Sequence, residues 1–291
     1  MQNALVIWQG VERLTESKQR LDIWLYQNQL FPSREAARRA IMAGWIFVNG
    51  ERAEKAGTLV REGMQVEVRG QHNRYVSRGG LKLEKALRVF DISCEKITAL
   101  DIGASTGGFT DCLLQHGADR VYALDVGYGQ LDWKLRQNPK VVVLERTNFR
   151  HVDKKLFDPL PQMVVMDVSF ISTRLLFQKI NEIVQKPGII ISLIKPQFEA
   201  GREFVGKGGI IRQPDVHRRV LLDMLESVNQ MGWSCRGLDV SPITGGDGNI
   251  EFLAYWYTEP GFQIPLHVDD VVHRAWHELK PALSDNIRPE S

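Results

Sequence analysis

The most restrictive feature of the chain is an alternation of short apolar runs and helical stretches that begins at Ile97. Ile97-Thr-Ala-Leu-Asp-Ile reads as a strand, residues 107–116 as a helix, and Val121-Tyr-Ala-Leu-Asp-Val as a second strand. Similar runs follow at Val141-Val-Val-Leu, Met163-Val-Val-Met-Asp and Gly188-Ile-Ile-Ile-Ser-Leu-Ile. Strands separated by helices predict a parallel α/β sheet, and such sheets hold ligands beyond the carboxyl ends of their strands. The residues just after each strand therefore carry the chemistry.

After the first strand stands Asp101-Ile-Gly103-Ala-Ser105-Thr-Gly107-Gly108-Phe109, a glycine-rich turn leading into a helix N-terminus. A P-loop would need Gly-Lys-Ser/Thr where this chain has Gly-Phe-Thr, and the spacing from Gly103 to Gly107 is one residue too wide for the dinucleotide fingerprint. Asp125, which ends the next strand, stands where a carboxylate accepts both hydroxyls of a ribose. A nucleoside cofactor without a pyrophosphate suits both facts. The pattern, with Asp125, resembles motifs I and II of the S-adenosylmethionine-dependent methyltransferases. The resemblance implies a Rossmann-like fold, S-adenosyl-L-methionine as cofactor, and Asp101, Gly103, Ser105, Gly107, Gly108, Phe109 and Asp125 as its binding residues.

Methyl transfer from a sulfonium needs an aligned nucleophile and removal of its proton, so the acceptor decides the residues. Enzymes that methylate base amines carry Asn/Asp-Pro-Pro-Tyr/Phe after the fourth strand, where this chain has Asp167-Val-Ser-Phe170. Cytosine C5 chemistry would need a cysteine there, and Cys94, Cys112 and Cys235 all lie elsewhere. The strand ends instead offer charges. Asp167 closes one strand, Lys195 the next, Glu251 sits in Gly248-Asn-Ile-Glu-Phe, and Lys82 lies in the helix that precedes the sheet. A lysine held by a carboxylate at this edge can stabilise a developing ribose 2′-oxyanion or take its proton. The ordered set Lys82, Asp167, Lys195, Glu251 is similar to the catalytic Lys-Asp-Lys-Glu tetrad of the FtsJ-type ribose 2′-O-methyltransferases.

The front of the chain differs in charge. Residues 1–88 carry 15 Lys and Arg against 9 Asp and Glu, whereas residues 89–291 carry 22 against 26. A basic front suggests a polyanion-binding module. Leu21, Trp24 and Leu25 form a helical stripe, and Ser33 caps a second helix that stops at Gly44. On that helix Arg34, Arg38 and Arg39 lie away from Ala37, Ala40 and Ile41. Asn49-Gly50 between apolar runs predicts a hairpin, with further strands near residues 58–60 and 64–68. Arg20-Leu21-Asp22, Leu25, Ser33-Arg34, Ala37, Ile41, Gly44, Val48-Asn49-Gly50, Lys55 and Gly57 together resemble the S4 RNA-binding domain, a small α+β module. That resemblance implies RNA contacts from Arg20, Arg34, Arg38, Arg39 and Lys55, with Arg78 joining them from the following segment.

The S4-like front, the tetrad, and the segments Ser77-Arg-Gly-Gly-Leu-Lys82 and Lys195-Pro-Gln-Phe-Glu199 together resemble the TlyA, or hemolysin A, family. The match implies 2′-O-methylation of cytidine in ribosomal RNA of the small or large subunit. Lys195 would activate the hydroxyl, Asp167 would orient Lys195, Lys82 and Glu251 would position the nucleotide, and Asn148-Phe149 would lie by the adenine. The expected divisions are an N-terminal extension (1–17), the S4-like domain (18–69), a linker (70–80) that couples RNA docking to cofactor binding, the methyltransferase domain (81–258) and a C-terminal extension (259–291). In the last, 268–279 forms an amphipathic helix and 284–291 frays. Residues 201–209 read either as a glycine-rich loop suited to closing over RNA or as an ordinary surface loop.

Other classes lose support. The apolar run at Ile189 is broken by Ser192 and stops at Lys195, short of the roughly 18 residues of a membrane helix. The first eight residues lack the features of a secretion signal. A lytic membrane protein is thus disfavoured, and a cytoplasmic location with reduced cysteines is expected. His273 and His277 stand four apart without the H-E-x-x-H glutamate, and no metal is expected. A non-catalytic RNA-binding assembly factor remains the main rival, together with a methyltransferase whose acceptor is transfer RNA.

Overall fold

The computed structural model describes residues 4–7, 18–31, 33–42, 44–61, 63–68, 74–261 and 267–279. The expected extension at 1–17 (apart from 4–7), residues 70–73 of the expected linker, and the tail beyond 279 lie outside them. The chain divides into two compact units, residues 1–73 and 74–291.

In the first unit, β1 (Ala4–Ile7), β2 (Gln19–Arg20), α1 (Leu21–Gln27), α2 (Arg34–Met42), β3 (Ile46–Val48), β4 (Glu51–Arg52), β5 (Leu59–Val60) and β6 (Gln65–Val68) follow in order. Four strands pair antiparallel as β1-β6-β3-β4, and β2 pairs with β5. The β3–β4 hairpin turns through Asn49 (φ 52°) and Gly50 (φ 83°), the left-handed pair that a two-residue turn demands. Ser33 Oγ accepts from Ala36 N at 3.1 Å and caps α2 as its sequence predicts. Leu21, Trp24 and Leu25 of α1 and Ala37, Ala40 and Ile41 of α2 are buried together with Ile46, Val60 and Val66. The small face of α2 thus packs inward.

The second unit contains α3 (Gly79–Val89), β7 (Thr98–Ile102), α4 (Gly108–Gln115), β8 (Arg120–Leu124), α5 (Trp133–Arg136), β9 (Val141–Leu144), β10 (Met163–Met166), α6 (Arg174–Ile183), β11 (Ile189–Ile194), α7 (Pro196–Glu199), α8 (Pro214–Gln230), β12 (Ser234–Val240), β13 (Phe252–Tyr257) and α9 (Val268–Leu279). Its seven strands order as β12-β13-β11-β10-β7-β8-β9. Five are parallel, as the alternation predicts; β13 departs from that expectation by running antiparallel between β12 and β11. Strand order reverses between β7 and β10, the position at which such sheets open a crevice at their carboxyl edge.

Side chains alternate across the sheet. Val164 and Met166 of β10 join a core with Phe177 and Ile180 of α6 and Val220 and Met224 of α8, whereas Met163 and Val165 join Leu83 and Ala86 of α3 and Leu113 of α4. Strands buried on both faces read as continuous apolar runs, which is why they were visible in the sequence. The expected linker is only partly one: Tyr75 is 1% exposed in the α3–α4 core, and residues 79 and 80 open α3. No helix among the described residues is long and apolar enough to cross a membrane.

Candidate active site

The carboxyl edge of β7, β10 and β11 opens into a cleft of about 310 Å³. Its walls come from Ser77, Arg78, Gly79 and Lys82 at the start of α3, Gly103, Ala104, Ser105 and Thr106 after β7, Gly108 and Phe109 of α4, Asp167 and Ser169 after β10, Lys195 after β11, and Ile243, Thr244 and Gly246 ahead of β13.

Four charged side chains form one chain along this cleft. Glu251 Oε2 accepts from Lys82 Nζ at 2.7 Å, Lys82 Nζ lies 3.6 Å from Asp167 Oδ2, and Asp167 Oδ1 lies 2.6 Å from Lys195 Nζ. Lys195 Nζ also donates to Ser169 Oγ at 2.8 Å. The two ammonium groups alternate with the two carboxylates, so each buried charge has an opposite partner, the condition on which such burial is tolerable. Burial pushes the Glu251 carboxyl above its ordinary range, against the pull of Lys82. Glu251 is the innermost member, with 3% of its side chain exposed, and Asp167 the most open, with 21%. Asp167 and Lys195 form the end of the chain opposite Glu251.

Glu199 supports that end from behind. It accepts from Ser172 Oγ at 2.5 Å, Thr173 N at 2.7 Å and Thr173 Oγ1 at 2.8 Å, tying the loop after β10 to the short helix after Lys195. Neither Ser169 nor Glu199 had a role in the sequence reading, although both lie inside quoted segments. Hydroxyl and carboxylate contacts between separate loops leave no periodic signal.

The glycine turn is closely packed at the edge of the cleft. Gly103 has φ 81°, and a Cβ there would stand 3.0 Å from the Asp167 carbonyl oxygen. Gly108 lets the start of α3 cross α4, since a Cβ would meet Ser77 Oγ at 2.2 Å and Gly80 N at 2.9 Å. Asp125 is half-buried and accepts from Ser105 N at 2.8 Å and Gly127 N at 2.7 Å, so two backbone amides fix its carboxylate beside the turn. Asp101 lies deeper: it is fully buried, accepts from Thr110 Oγ1 at 2.7 Å, and burial holds its carboxyl at about 7. A glycine turn beside a carboxylate held by two backbone amides fits a nucleoside cofactor such as S-adenosylmethionine.

Asn148 and Phe149, expected by the adenine, follow β9: Phe149 is 3% exposed within the main core, and the Asn148 side chain accepts from Arg150 N at 3.1 Å. Like Asp101, Gly107 and Asp125, neither is among the walls of the cleft. The loop at 201–209 is tethered, because Asn249 Nδ2 donates to Gly209 O at 2.9 Å and Asn249 Oδ1 accepts from Ile211 N at 3.1 Å.

In the first unit, Arg38, Arg39 and Lys55 are exposed, while Arg20 and Arg34 are half-exposed and paired to Asp22. Arg78 is exposed in the second unit and lines the cleft. Among the described residues, no group of three or more His, Cys, Asp or Glu could hold a metal ion.

Comparison with known proteins agrees with this division. The model of the FtsJ-like methyltransferase family matches residues 75–257, and that of the S4 domain matches residues 19–66. The chain is 48% identical to a Bacillus subtilis protein provisionally named the rRNA methyltransferase YqxC, over 92% of this chain and 98% of that one. It is 39% identical to the 16S/23S rRNA (cytidine-2'-O)-methyltransferase TlyA of Mycobacterium tuberculosis, over 89% and 97%. A solved structure of a candidate hemolysin from Streptococcus thermophilus superposes with a TM-score of 0.72 at 46% identity, covering 92% of this chain and 98% of that chain.

Proposed function

The chain belongs to the FtsJ-like methyltransferases, in the S4-bearing TlyA or hemolysin A family, and is a methyltransferase with S-adenosylmethionine as its cofactor; from that premise we propose that it methylates the ribose 2′-hydroxyl of cytidine in ribosomal RNA. The observation that carries this reading is Lys195, clamped between Asp167 and Ser169 at the open end of the ion chain. A base-amine or C5 acceptor would call for other groups at that strand end.

In this reading the turn from Gly103 to Gly108 and the carboxylate of Asp125 hold the cofactor, with Asp101 supporting the turn from beneath. When bound, S-adenosylmethionine supplies an electrophilic methyl whose sulfur departs neutral. The Lys195 ammonium lowers the cost of charge on the 2′-oxygen as its proton leaves to solvent and the new O–C bond forms. Asp167 and Ser169 keep the Lys195 amine from swinging away, so the entropy of orientation is met before substrate arrives. Lys82 and Glu251 hold Asp167 from the other side and position the nucleotide.

The basic S4 unit supplies affinity for RNA through Arg20, Arg34, Arg38, Arg39 and Lys55, and Arg78 meets the backbone near the cleft. Ribosomal subunits are accordingly the expected partner, and the cytoplasm the expected location. The test is transfer of tritiated methyl from S-adenosylmethionine to ribosomal subunits that lack the modification, followed by nucleoside analysis. Label in 2′-O-methylcytidine is expected, and the labelled subunit identifies the substrate. Cofactor binding without incorporation into either subunit would move the assignment to another RNA or to a non-catalytic assembly factor.

A further inference from the structure

Among the described residues of the first unit, Asp22 is the one fully buried acidic side chain, at 0% exposure. It is not buried alone. Its Oδ1 accepts from Arg20 Nε at 3.0 Å, and its Oδ2 accepts from Arg20 Nη2 at 3.1 Å and Arg34 Nη2 at 3.3 Å. The two arginines come from different elements, β2 and α2, and both side chains remain about half exposed, at 47% and 54%. One carboxylate thus grips the inner edges of two guanidinium groups and leaves most of their donors free to solvent.

A third segment closes around the same point. Asp22 N donates to Ala56 O at 3.2 Å and Leu21 N to Thr58 O at 2.8 Å, which fixes the loop that carries exposed Lys55. That loop passes so close that a Cβ on Gly57 would stand 3.2 Å from Arg20 Nη1. The guanidinium of Arg20 is therefore salt-bridged to Asp22 and flanked by the loop at Gly57.

An acid at the centre of a basic surface is costly for anion binding if charge alone matters, because it cancels one of the two positive charges beside it. It is useful if geometry matters, because flexible arginine side chains lose much entropy when they must be ordered by the ligand. We propose that Asp22 is a positioning residue that holds Arg20 and Arg34 as a preformed two-guanidinium seat for an RNA phosphodiester. The inference rests on the RNA-binding reading above and adds to it which donors are pre-ordered and by what.

The two accounts differ in sign, which makes the test direct. The full-length chain and its Asp22→Asn variant are titrated with end-labelled 16S and 23S rRNA transcripts between 50 and 200 mM salt, with circular dichroism to confirm folding. Charge alone predicts tighter binding by the variant. Pre-ordering predicts binding about tenfold weaker at fixed salt, the effect of losing about one charge-assisted contact, and a salt slope shallower by about one. A folded Asp22→Asn chain that binds as well as wild type, or better, overturns the proposal. If that variant does not fold, Arg34→Lys decides: it keeps the charge but loses the fork, so unchanged affinity and slope would overturn the proposal and weaker binding would support it. A wild-type chain without salt-dependent affinity for either transcript would instead overturn the RNA-binding reading itself.

Discussion

Replacing Lys195 by Ala is the sharpest test of the active-site assignment, because the structure separates its catalytic cost from its folding cost. The change removes an amine that lies 2.6 Å from Asp167 Oδ1 and 2.8 Å from Ser169 Oγ. Asp167 is then left with Lys82 at 3.6 Å and with solvent, since 21% of its side chain is exposed. No charge is stranded, and the stability loss should be about 1 to 2 kcal/mol. Lys82→Ala is a poorer probe: it strands Glu251, whose side chain is 3% exposed, at a cost of about 3 to 5 kcal/mol. A group that manages a proton or its charge in the transition state is worth about 10²- to 10⁴-fold in rate, or about 3 to 5 kcal/mol of barrier. Single-turnover transfer of tritiated methyl to ribosomal RNA reads that term. A thermal melt reads the folding cost, and calorimetry with S-adenosylmethionine checks that cofactor binding is unchanged. Lys195→Arg adds a division: it keeps the positive charge, so it should recover part of the rate if oxyanion stabilisation is the main role. A folded Lys195→Ala chain whose rate stays within about tenfold of wild type would remove Lys195 from the mechanism.

Other expectations concern cofactor and pH. Asp125→Ala should weaken cofactor binding about tenfold or more, read by calorimetry, because it removes the acid that the Ser105 and Gly127 amides hold in position. Gly108→Ala should lower stability by about 1 to 3 kcal/mol and distort the cleft, since the Ser77 hydroxyl and Gly80 amide occupy the space its methyl needs. Burial holds Asp101 at about 7, so the folded chain keeps this proton between about 4 and 7 while the unfolded chain has lost it. Its contribution to stability therefore falls as pH rises through that window, by up to roughly 4 kcal/mol, and Asp101→Asn should gain on wild type in melts at pH 8 relative to pH 5. His217 works in the opposite sense: burial lowers it to about 4 from 6.5, so its contribution is intact above about 6.5 and is lost as pH falls toward 4. His217→Gln should blunt that acid sensitivity, which hydrogen exchange in α9 would localise, because Trp276 of α9 donates to His217 Nδ1 at 2.9 Å.

These residues also mark what a sequence can and cannot reveal. The parallel strands and the glycine turn were legible because buried strands are continuously apolar and ligand-binding turns follow strand ends, and the four charges that the structure joins were legible through a family pattern. The helix at Val268–Leu279 was legible from its periodicity. Tyr75 looked like part of a polar hinge, yet its ring fills the space a Cβ on Gly80 would need, a fit between near neighbours that no composition betrays. Asn148-Phe149 entered through the family resemblance, and the core position of the Phe149 ring is a packing fact that its place after a strand does not announce. Asp22 entered the sequence reading only as one landmark of the S4 resemblance. Its burial depends on two arginines that converge from separate elements, and that convergence is tertiary.

The antiparallel β13 gives the ion chain a temporal meaning. Lys82 emerges early in synthesis, whereas Glu251 directly precedes β13, 169 residues later, and β12 joins the sheet only through that strand. A chain that lacks β13 would leave β11 with a bare edge and Lys82 without Glu251, with Asp167 at 3.6 Å as its remaining carboxylate. The innermost ion pair is thereby completed only when the sheet is.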